Sequence, residues 1–193
     1  MTVTTDLKKL HLGCGRNILE GWVNLDSCEL PGVDVVADLD NCGNRNLPFE
    51  TDSVGEFLLS HVLEHLKNPL PLMQELHRIA SPQAKMIIRL PYGTSDDAWE
   101  DPTHVRPYFL GSAAYFSQPI YWRADYGYRG DWQTDNITLF VPQHEITDQL
   151  MFKIKNMRNI VLEMVIEMTA IKPIREPLKE LQTKPNIHIK GVQ

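Results

Sequence analysis

The sequence predicts an α/β fold in which a mostly parallel sheet carries helices on both faces and antiparallel strands at its C-terminal edge. Three observations support this prediction. Short apolar segments recur over the first 90 residues, as expected for parallel strands that are covered on both sides. Two of these segments flank a stretch with helical apolar spacing, which makes a strand–helix–strand unit. A later segment alternates apolar and polar residues, which is typical of an antiparallel strand with one solvated face.

Five strands are predicted in the first half of the chain, and each ends at a turn signal or a polar residue: residues 10–12, 22–26, 33–37, 57–60 and 86–90. A helix is predicted between the last two. Asn68 can cap this helix, Pro69 suits its first turn, and apolar residues follow at helical spacing. Pro82 ends the helix, because a proline disfavours helical backbone in the residue before it.

The second half of the chain changes character after Pro91. All six tyrosines and three of the four tryptophans lie in residues 92–132, which we interpret as an aromatic-rich insertion. Beyond it we predict a strand, a segment ambiguous between helix and strand, and an antiparallel strand, at residues 137–141, 146–156 and 162–170. The chain is therefore interpreted as a single domain, residues 1–172, followed by a polar, proline-rich tail, residues 173–193, to which no structure is assigned.

Composition limits the classes of partner and the compartment. The formal net charge is −6 and the chain has no cluster of lysines and arginines, which disfavours a nucleic-acid partner. No apolar stretch is long enough to span a membrane and no apolar leader is seen, so we predict a cytoplasmic protein. Cys14, Cys28 and Cys42 lack the C-x-x-C spacing of metal sites, and we interpret them as reduced thiols.

A nucleoside site is predicted at the ends of the first three strands. Gly13 and Gly15 follow the first strand in a G-x-G pattern, which lets the backbone approach a ligand closely. A dinucleotide fingerprint needs a third glycine where this chain has Ile18, so pyrophosphate binding is weakly supported. Asp26 and Asp38 close the next two strands, where one carboxylate can accept ribose hydroxyls and the other can meet an adenine amino group. The alternative is that both aspartates only cap turns.

Several segments, taken in order, resemble the class I S-adenosylmethionine-dependent methyltransferases, and among them the small type-11-like branch. They are HLGCG, WVNLD, DL, LPF, SHVLEH and DPTH, at residues 11–15, 22–26, 38–39, 47–49, 60–65 and 101–104. The likeness covers about residues 8–108, over half of the chain. It implies a Rossmann-like fold, S-adenosyl-L-methionine as the cofactor and S-adenosyl-L-homocysteine as the product.

The resemblance also implies roles for individual residues. Leu12, Gly13, Cys14 and Gly15 would hold the methionine part of the cofactor, and Asp26 its ribose. Asp38 and Leu39 would flank the adenine, and Ser60 and His61 would line the sulfonium end.

Two departures from the family pattern are visible. The segment between Gly15 and Asp26 is too short for the usual full helix, so a turn or a single helical turn is expected there. The Pro-Gly-Gly turn that is common before the fifth strand is replaced by Pro82, Gln83 and Ala84.

A competing pattern is the zinc-protease motif H-x-x-E-H, which residues 61–65 match literally. On a helix, His61 and His65 could bind zinc, with a downstream carboxylate such as Glu145 as the third ligand. The motif begins at the end of a buried strand, however, and nothing before it resembles a protease. We therefore expect no metal and interpret Glu64 and His65 as partly structural residues of a short helix.

On the acceptor side, His104 is the candidate general base and Asp101, three residues earlier, could orient it or act itself. The alternative for His104 is an ordinary loop histidine, and the sequence leaves both interpretations open. Arg106 could hold an anionic group, and Tyr92 and Tyr108 would border the mouth of the pocket. Further aromatic residues could stack on an acceptor ring or cap the sheet: Trp99, Tyr115, Tyr121, Trp122, Tyr126, Tyr128 and Trp132.

The predicted function is methyl transfer to a small-molecule or sugar acceptor, most simply at an oxygen. The chain lacks the Asn/Asp-Pro-Pro-aromatic segment of nucleobase amino methylases, and no cysteine follows a proline as in cytosine C5 methylases. The alternative from another class is a non-catalytic protein that binds S-adenosylmethionine or another nucleoside. A homodimer through the late strand and the tail is a further hypothesis.

Overall fold

The computed structural model describes residues 7–193 and contains one eight-stranded sheet. Its strands are β1 (Lys8–Leu12), β2 (Val23–Asp26), β3 (Val35–Val36), β4 (Val54–Ser60), β5 (Ala80–Pro91), β6 (Trp132–Pro142), β7 (Glu163–Ala170) and β8 (Asn186–Val192). Their spatial order is β3-β2-β1-β4-β5-β7-β6-β8. β7 runs antiparallel to β5 and β6, and the other neighbours are parallel. The predicted mostly parallel sheet with an antiparallel strand toward its C-terminal edge is confirmed.

In the described part of the chain, three α-helices accompany the sheet: α1 (Pro69–Ile79), α2 (Asp97–Glu100) and α3 (Leu150–Asn156). Short 3-10 helices lie at Leu39–Asn41, Leu63–His65, Ser112–Phe116, Gln118–Trp122, Gln143–Glu145 and Lys179–Leu181. Helix α1 is the predicted one, and the Asn68 side chain accepts a hydrogen bond from the Leu70 amide at 3.2 Å, as a capping residue does. Within residues 7–193 no helix is long and apolar enough to cross a membrane.

The core lies between α1 and one face of the sheet. Phe57 of β4 packs edge-to-face on Trp132 of β6, with ring centroids 5.6 Å apart. Trp132 is fully buried, and its indole N–H donates to the Met73 carbonyl of α1 at 2.9 Å. Trp132 is therefore a core residue, and the hypothesis that it stacks on an acceptor is wrong.

The opposite face of the central strands is polar and partly solvated. Lys9 of β1 pairs with Glu56 of β4 at 2.8 Å, and Arg89 of β5 pairs with Glu163 of β7 at 2.5 Å. Ile87 lies between these pairs and keeps 42% of its surface exposed. Along these strands, successive residues therefore face the packed core and water in turn.

The connection between β1 and β2 contains turns only, as the short spacing predicted. This connection has no crossover helix, and the buried side-chain amide of Asn24 holds its backbone instead. The Asn24 side chain accepts from the Leu19 amide at 2.9 Å and donates to the carbonyls of Leu19 and Trp22 at 3.1 and 3.2 Å. His11 Nδ1 lies 3.3 Å from the same Asn24 oxygen. The backbone of this connection is thus held by side-chain hydrogen bonds from the sheet.

The C-terminal segment is structured, which the sequence did not predict. Residues 186–192 form β8, which pairs in parallel with β6. Arg175, which precedes β8, makes several hydrogen bonds to the fully buried carboxylate of Asp131, at distances of 2.8 and 3.0 Å. The assignment of no structure to residues 173–193 is therefore wrong. The strand was missed because it lies at the sheet edge and its residues are mostly exposed and polar.

His77 of α1 makes the stability of the fold sensitive to acid. Burial lowers the pKa of His77, against the opposing effect of a 3.0 Å hydrogen bond to the Ile171 carbonyl. The unfolded chain therefore binds a proton at higher pH than the folded chain does. We expect this contribution to stability to be complete above about pH 6.5 and to be lost as the pH falls, by at most about 1.4 kcal/mol per pH unit.

Urea unfolding of the wild type and of His77→Gln, measured from pH 7.5 to 5.0, tests this expectation. The glutamine can still donate to Ile171 but does not titrate. The difference in unfolding free energy between the two proteins should shift in favour of the variant as the pH falls. A difference that is constant over this range would contradict the assignment.

Candidate functional site

The carboxyl ends of β1, β2 and β4 lie side by side. Leu12 is the register partner of both Leu25 and Leu59. The residues that directly follow these three leucines therefore lie side by side at one rim of the sheet. These residues are Gly13, Asp26 and Ser60. Ligands of open α/β sheets bind at this rim, outside the carboxyl ends of the strands. The topology therefore brings the predicted glycine bend and the first aspartate to the same place.

The glycine bend depends on backbone conformations that favour glycine. Gly13 has a φ of +62° and Gly15 a φ of +53°. A Cβ on Gly13 would lie 2.5 Å from Val62 Cγ2, which is too close for any side chain. A Cβ on Gly15 would meet nothing within 4 Å, so the backbone there is open to a ligand.

Asp26 links this bend to the second strand. One carboxylate oxygen accepts from the Gly15 amide at 2.8 Å and the other accepts from the Cys28 amide at 3.0 Å. Asp26 is partly exposed, and each carboxylate oxygen can accept more than one hydrogen bond. The carboxylate is thus fixed in orientation and retains acceptor capacity for a diol. This donor and acceptor set fits the ribose of a nucleoside.

Asp38 lies on the same rim, next to Asp26. Val36 is the register partner of Asp26, and the Ala37 amide donates to the Asp26 carbonyl at 2.9 Å. The Asp38 side chain accepts from the Asp40 amide at 3.0 Å and caps the 3-10 helix that begins at the buried Leu39. A cavity of about 120 Å³ lies beside Asp38. Turn capping and ligand contact are compatible roles for this carboxylate.

His61 follows the end of β4 with a φ of +55°. Its side chain is about half exposed, with Nε2 3.2 Å from Glu163 and Nδ1 3.3 Å from Glu64. The adjacent carboxylates raise its pKa, that of Glu64 most strongly. Residues 63–65 form a 3-10 helix, so the pattern H-x-x-E-H does not lie on an α-helix. Glu145, the third ligand proposed for a protease, instead pairs with Lys153 at 2.7 Å. The zinc-protease alternative is therefore wrong.

Glu64, His65 and His104 form a compact cluster beside this rim. One carboxylate oxygen of Glu64 and one ring nitrogen of each histidine all lie within 4.8 Å of one another. The two imidazole rings are 4.7 Å apart. The loop that carries His104 is fixed here, because the Val105 amide donates to the Glu64 carbonyl at 2.8 Å. Glu64 and His65 were interpreted as partly structural residues. The presence of both SHVLEH and DPTH in the sequence is a signal that could have placed them near His104.

Asp101 acts on this cluster through Thr103. The Thr103 hydroxyl donates to Asp101 at 2.6 Å and lies 2.9 Å from His65 Nδ1. These hydrogen bonds from Thr103 are the main cause of the lowered pKa of Asp101. Asp101 lies 3.9 Å from His104 Nε2, which is longer than a hydrogen bond. The idea that Asp101 directly orients His104 does not match this geometry.

The aromatic insertion encloses a cavity of about 700 Å³, a size usual for small-ligand pockets. Its lining includes Arg106, Tyr108, Phe109, Tyr115, Tyr121 and Tyr126. The other two predicted acceptor residues lie apart from it. Tyr92 is buried against Phe109, which raises its pKa, and Trp99 is 64% exposed with its indole N–H on the Gly93 carbonyl. Of the four residues predicted to bind the acceptor, Arg106 and Tyr108 line this cavity and Tyr92 and Trp99 do not.

Comparison with solved structures shows the same fold in proteins of low sequence identity. An S-adenosylmethionine-dependent methyltransferase from Archaeoglobus fulgidus aligns with a TM-score of 0.55 at 14% identity, covering 86% of this chain and 87% of the other. One from Mesorhizobium loti aligns with a TM-score of 0.54 at 15% identity, covering 84% and 90%. No curated protein sequence matches significantly.

The strand order defines a class I Rossmann-like fold, and the glycine bend and the aspartate at the end of β2 lie at the rim where such folds bind ligands. Residues 10–88 match the family model described as a methyltransferase domain. Over these residues the chain is similar to the S-adenosylmethionine-dependent methyltransferases, and the solved structures named above share its fold. This similarity implies S-adenosylmethionine as the cofactor.

Proposed function

We propose that the chain is an S-adenosylmethionine-dependent methyltransferase that acts on a hydroxyl group of a small-molecule or sugar acceptor. The main support is the 700 Å³ aromatic cavity, which is bordered by the loop that carries His104. Tyr115, Tyr121 and Tyr126 offer ring faces and edges that suit a flat or sugar-like ring. Arg106 adds a positive charge for an anionic substituent. The net charge of −6 also favours a small acceptor over a nucleic acid.

For the cofactor, we assign the methionine part to residues 12–15 and the ribose to Asp26. Asp38 and Leu39 would flank the adenine, and Ser60 and His61 would lie at the sulfonium end. The support is the shared rim, the open backbone above Gly15 and the remaining acceptor capacity of the Asp26 carboxylate. When bound, the cofactor supplies a methyl group that is already activated by its sulfonium.

The protein then has to align the acceptor, exclude water and remove one proton from the hydroxyl. Holding the two reactants in line makes the displacement effectively unimolecular. His104 is the residue we assign to proton removal. Its side chain is 9% exposed, and its Nδ1 has no hydrogen-bond partner among residues 7–193. Tyr108 is a poor alternative, because burial raises its pKa and its hydroxyl donates to the Leu63 carbonyl at 3.2 Å.

A turnover assay tests this function. The purified chain and S-adenosylmethionine are incubated with a panel of sugars, phenols and amines, and S-adenosylhomocysteine release is measured. We expect turnover with a hydroxyl compound and a product whose mass is increased by one methylene on oxygen. His104→Ala should lower kcat by about 100-fold, within the range for loss of a general base.

His144→Ala is the matched control, because His144 is 80% exposed and lies in the 3-10 helix Gln143–Glu145. It should leave kcat unchanged. Turnover with amines only would contradict O-methylation. Full activity of His104→Ala would contradict the assignment of this histidine.

A further inference from the structure

We propose that Glu64, His65 and His104 bind one divalent transition-metal ion of the zinc class. The argument rests on the geometry of these three side chains and on a buried carboxylate that accepts no hydrogen bond from residues 7–193. It does not depend on the identity of the methyl acceptor.

Glu64 is the first observation. The residue is 2% exposed, and neither carboxylate oxygen has a hydrogen-bond partner among residues 7–193. Buried carboxylates are normally paired, hydrogen-bonded or bound to a metal, because dehydration of the charge is costly. His61 Nδ1 approaches one oxygen to 3.3 Å without a hydrogen bond, and its ring is half exposed and shared with Glu163. A cation at the inner side of Glu64 would satisfy the carboxylate.

The second observation is the hydrogen bonding of His65. A carboxylate only accepts hydrogen bonds, so the Thr103 hydroxyl gives its proton to Asp101 at 2.6 Å. The same hydroxyl therefore accepts from His65 Nδ1, at 2.9 Å. This fixes the tautomer of His65 and leaves the Nε2 lone pair as the ligand. A metal-binding histidine is usually held in this way, by a partner on its second nitrogen.

His104 supplies the third donor. Its Nδ1 is buried and has no partner among the described residues, while its Nε2 faces Asp101 at 3.9 Å. Two imidazoles and one carboxylate are the ligand set of many catalytic zinc sites, which keep a fourth position for water or substrate. Zinc holds such ligands at about 2.0–2.2 Å, which in a tetrahedral site places them about 3.4 Å from one another. Atoms that lie within 4.8 Å of one another would therefore need to close by at most about 1.4 Å.

A metal ion here would change how His104 works in the proposed function. As a ligand, its lone pair points at the ion and is not available as a base. An acceptor hydroxyl at the fourth position of the ion would become more acidic, and its proton would pass to a water molecule of the solvent. The metal content of the wild-type protein decides between these two roles.

The test is metal binding by the full chain. Protein freed of metal with a chelator is titrated with zinc by calorimetry, and with cobalt by visible absorption. We expect one ion per chain and the absorption of tetrahedral cobalt. Glu64→Gln and His104→Ala should weaken binding by about 100-fold or more, and Thr103→Val by about 10-fold to 100-fold. His144→Ala should bind as the wild type does.

Separate measurements keep the outcome interpretable. Binding of S-adenosylhomocysteine by Glu64→Gln shows that the variant is folded. If the wild type binds no zinc or cobalt beyond the level of Glu64→Gln, the proposal is overturned and His104 keeps the role of a base. It is also overturned if His61→Ala abolishes binding while His104→Ala does not. An ion bound without O-methyl turnover would support the metal site and contradict the proposed function. O-methyl turnover by metal-free protein would support the proposed function, and the metal site would then be decided by the binding titration alone.

Discussion

Replacing Asp26 by alanine is expected to weaken binding of S-adenosylhomocysteine by about 100-fold. A hydrogen bond to a charged group contributes roughly 1.5–3 kcal/mol, and Asp26 would accept two from the ribose. About 2.7 kcal/mol corresponds to 100-fold. The same carboxylate fixes the amides of Gly15 and Cys28, so its loss also loosens the loop beneath the ligand. Calorimetry with S-adenosylhomocysteine measures the effect.

Asp148→Ala is the control, because Asp148 is exposed in the loop before α3. It should bind as tightly as the wild type. Asp26→Asn keeps one acceptor oxygen and should lose about 10-fold. If Asp26→Ala binds within threefold of the wild type, then the ribose does not lie on this carboxylate.

Replacing Arg175 by alanine is expected to lower the free energy of unfolding by about 3–5 kcal/mol, the usual cost of leaving one partner of a buried ion pair alone. Asp131 is fully buried and receives hydrogen bonds from the Arg175 guanidinium at 2.8 Å, from the Arg175 amide at 3.0 Å and from the Gln118 amide at 3.2 Å. The pair therefore joins the C-terminal segment to the aromatic insertion. Urea unfolding followed by circular dichroism gives the free energy.

The matched control is Arg129→Ala. Arg129 also pairs with an aspartate, Asp125, at 2.8 Å, but both side chains are exposed. Exposed ion pairs contribute about 0–1 kcal/mol, so this variant should unfold almost as the wild type does. Equal effects of the two replacements would show that burial of Asp131 does not govern the cost.

Most of the sheet could be predicted because its strands carry local signals. The apolar runs of β1, β2, β4 and β5 and the Asn-Pro start of α1 are visible within windows of a few residues. β8 could not be predicted, since it is an edge strand with exposed, polar residues such as Asn186 and His188. Its pairing depends on β6, some 50 residues earlier in the sequence. Such a contact has no local signature.

Individual residues of the candidate site could be predicted from the sequence, but which of them lie together in the fold could not. Spacing placed Asp26 and the two glycines at strand ends, and the register of β1 and β2 brings them together. The interpretation of Glu64 as partly structural was incomplete, because only the tertiary fold shows that its carboxylate is buried and accepts no hydrogen bond from residues 7–193. The separation of Trp99 from the aromatic cavity likewise depends on backbone contacts, here with Gly93. In a long insertion, tertiary packing determines where each side chain points, and the sequence shows no periodic pattern from which this could be predicted.

The position of β7 governs the order in which the molecule can assemble. β7 lies between β5 and β6, although it follows β6 in the chain. β6 therefore has no hydrogen-bonded place in the sheet until β7 has docked on β5, and β8 in turn waits for β6. We expect folding to begin in the parallel N-terminal half and to proceed outward through β7. Amide protons of β6 and β8 should accordingly gain protection from exchange in one step during refolding, after those of β1 and β4.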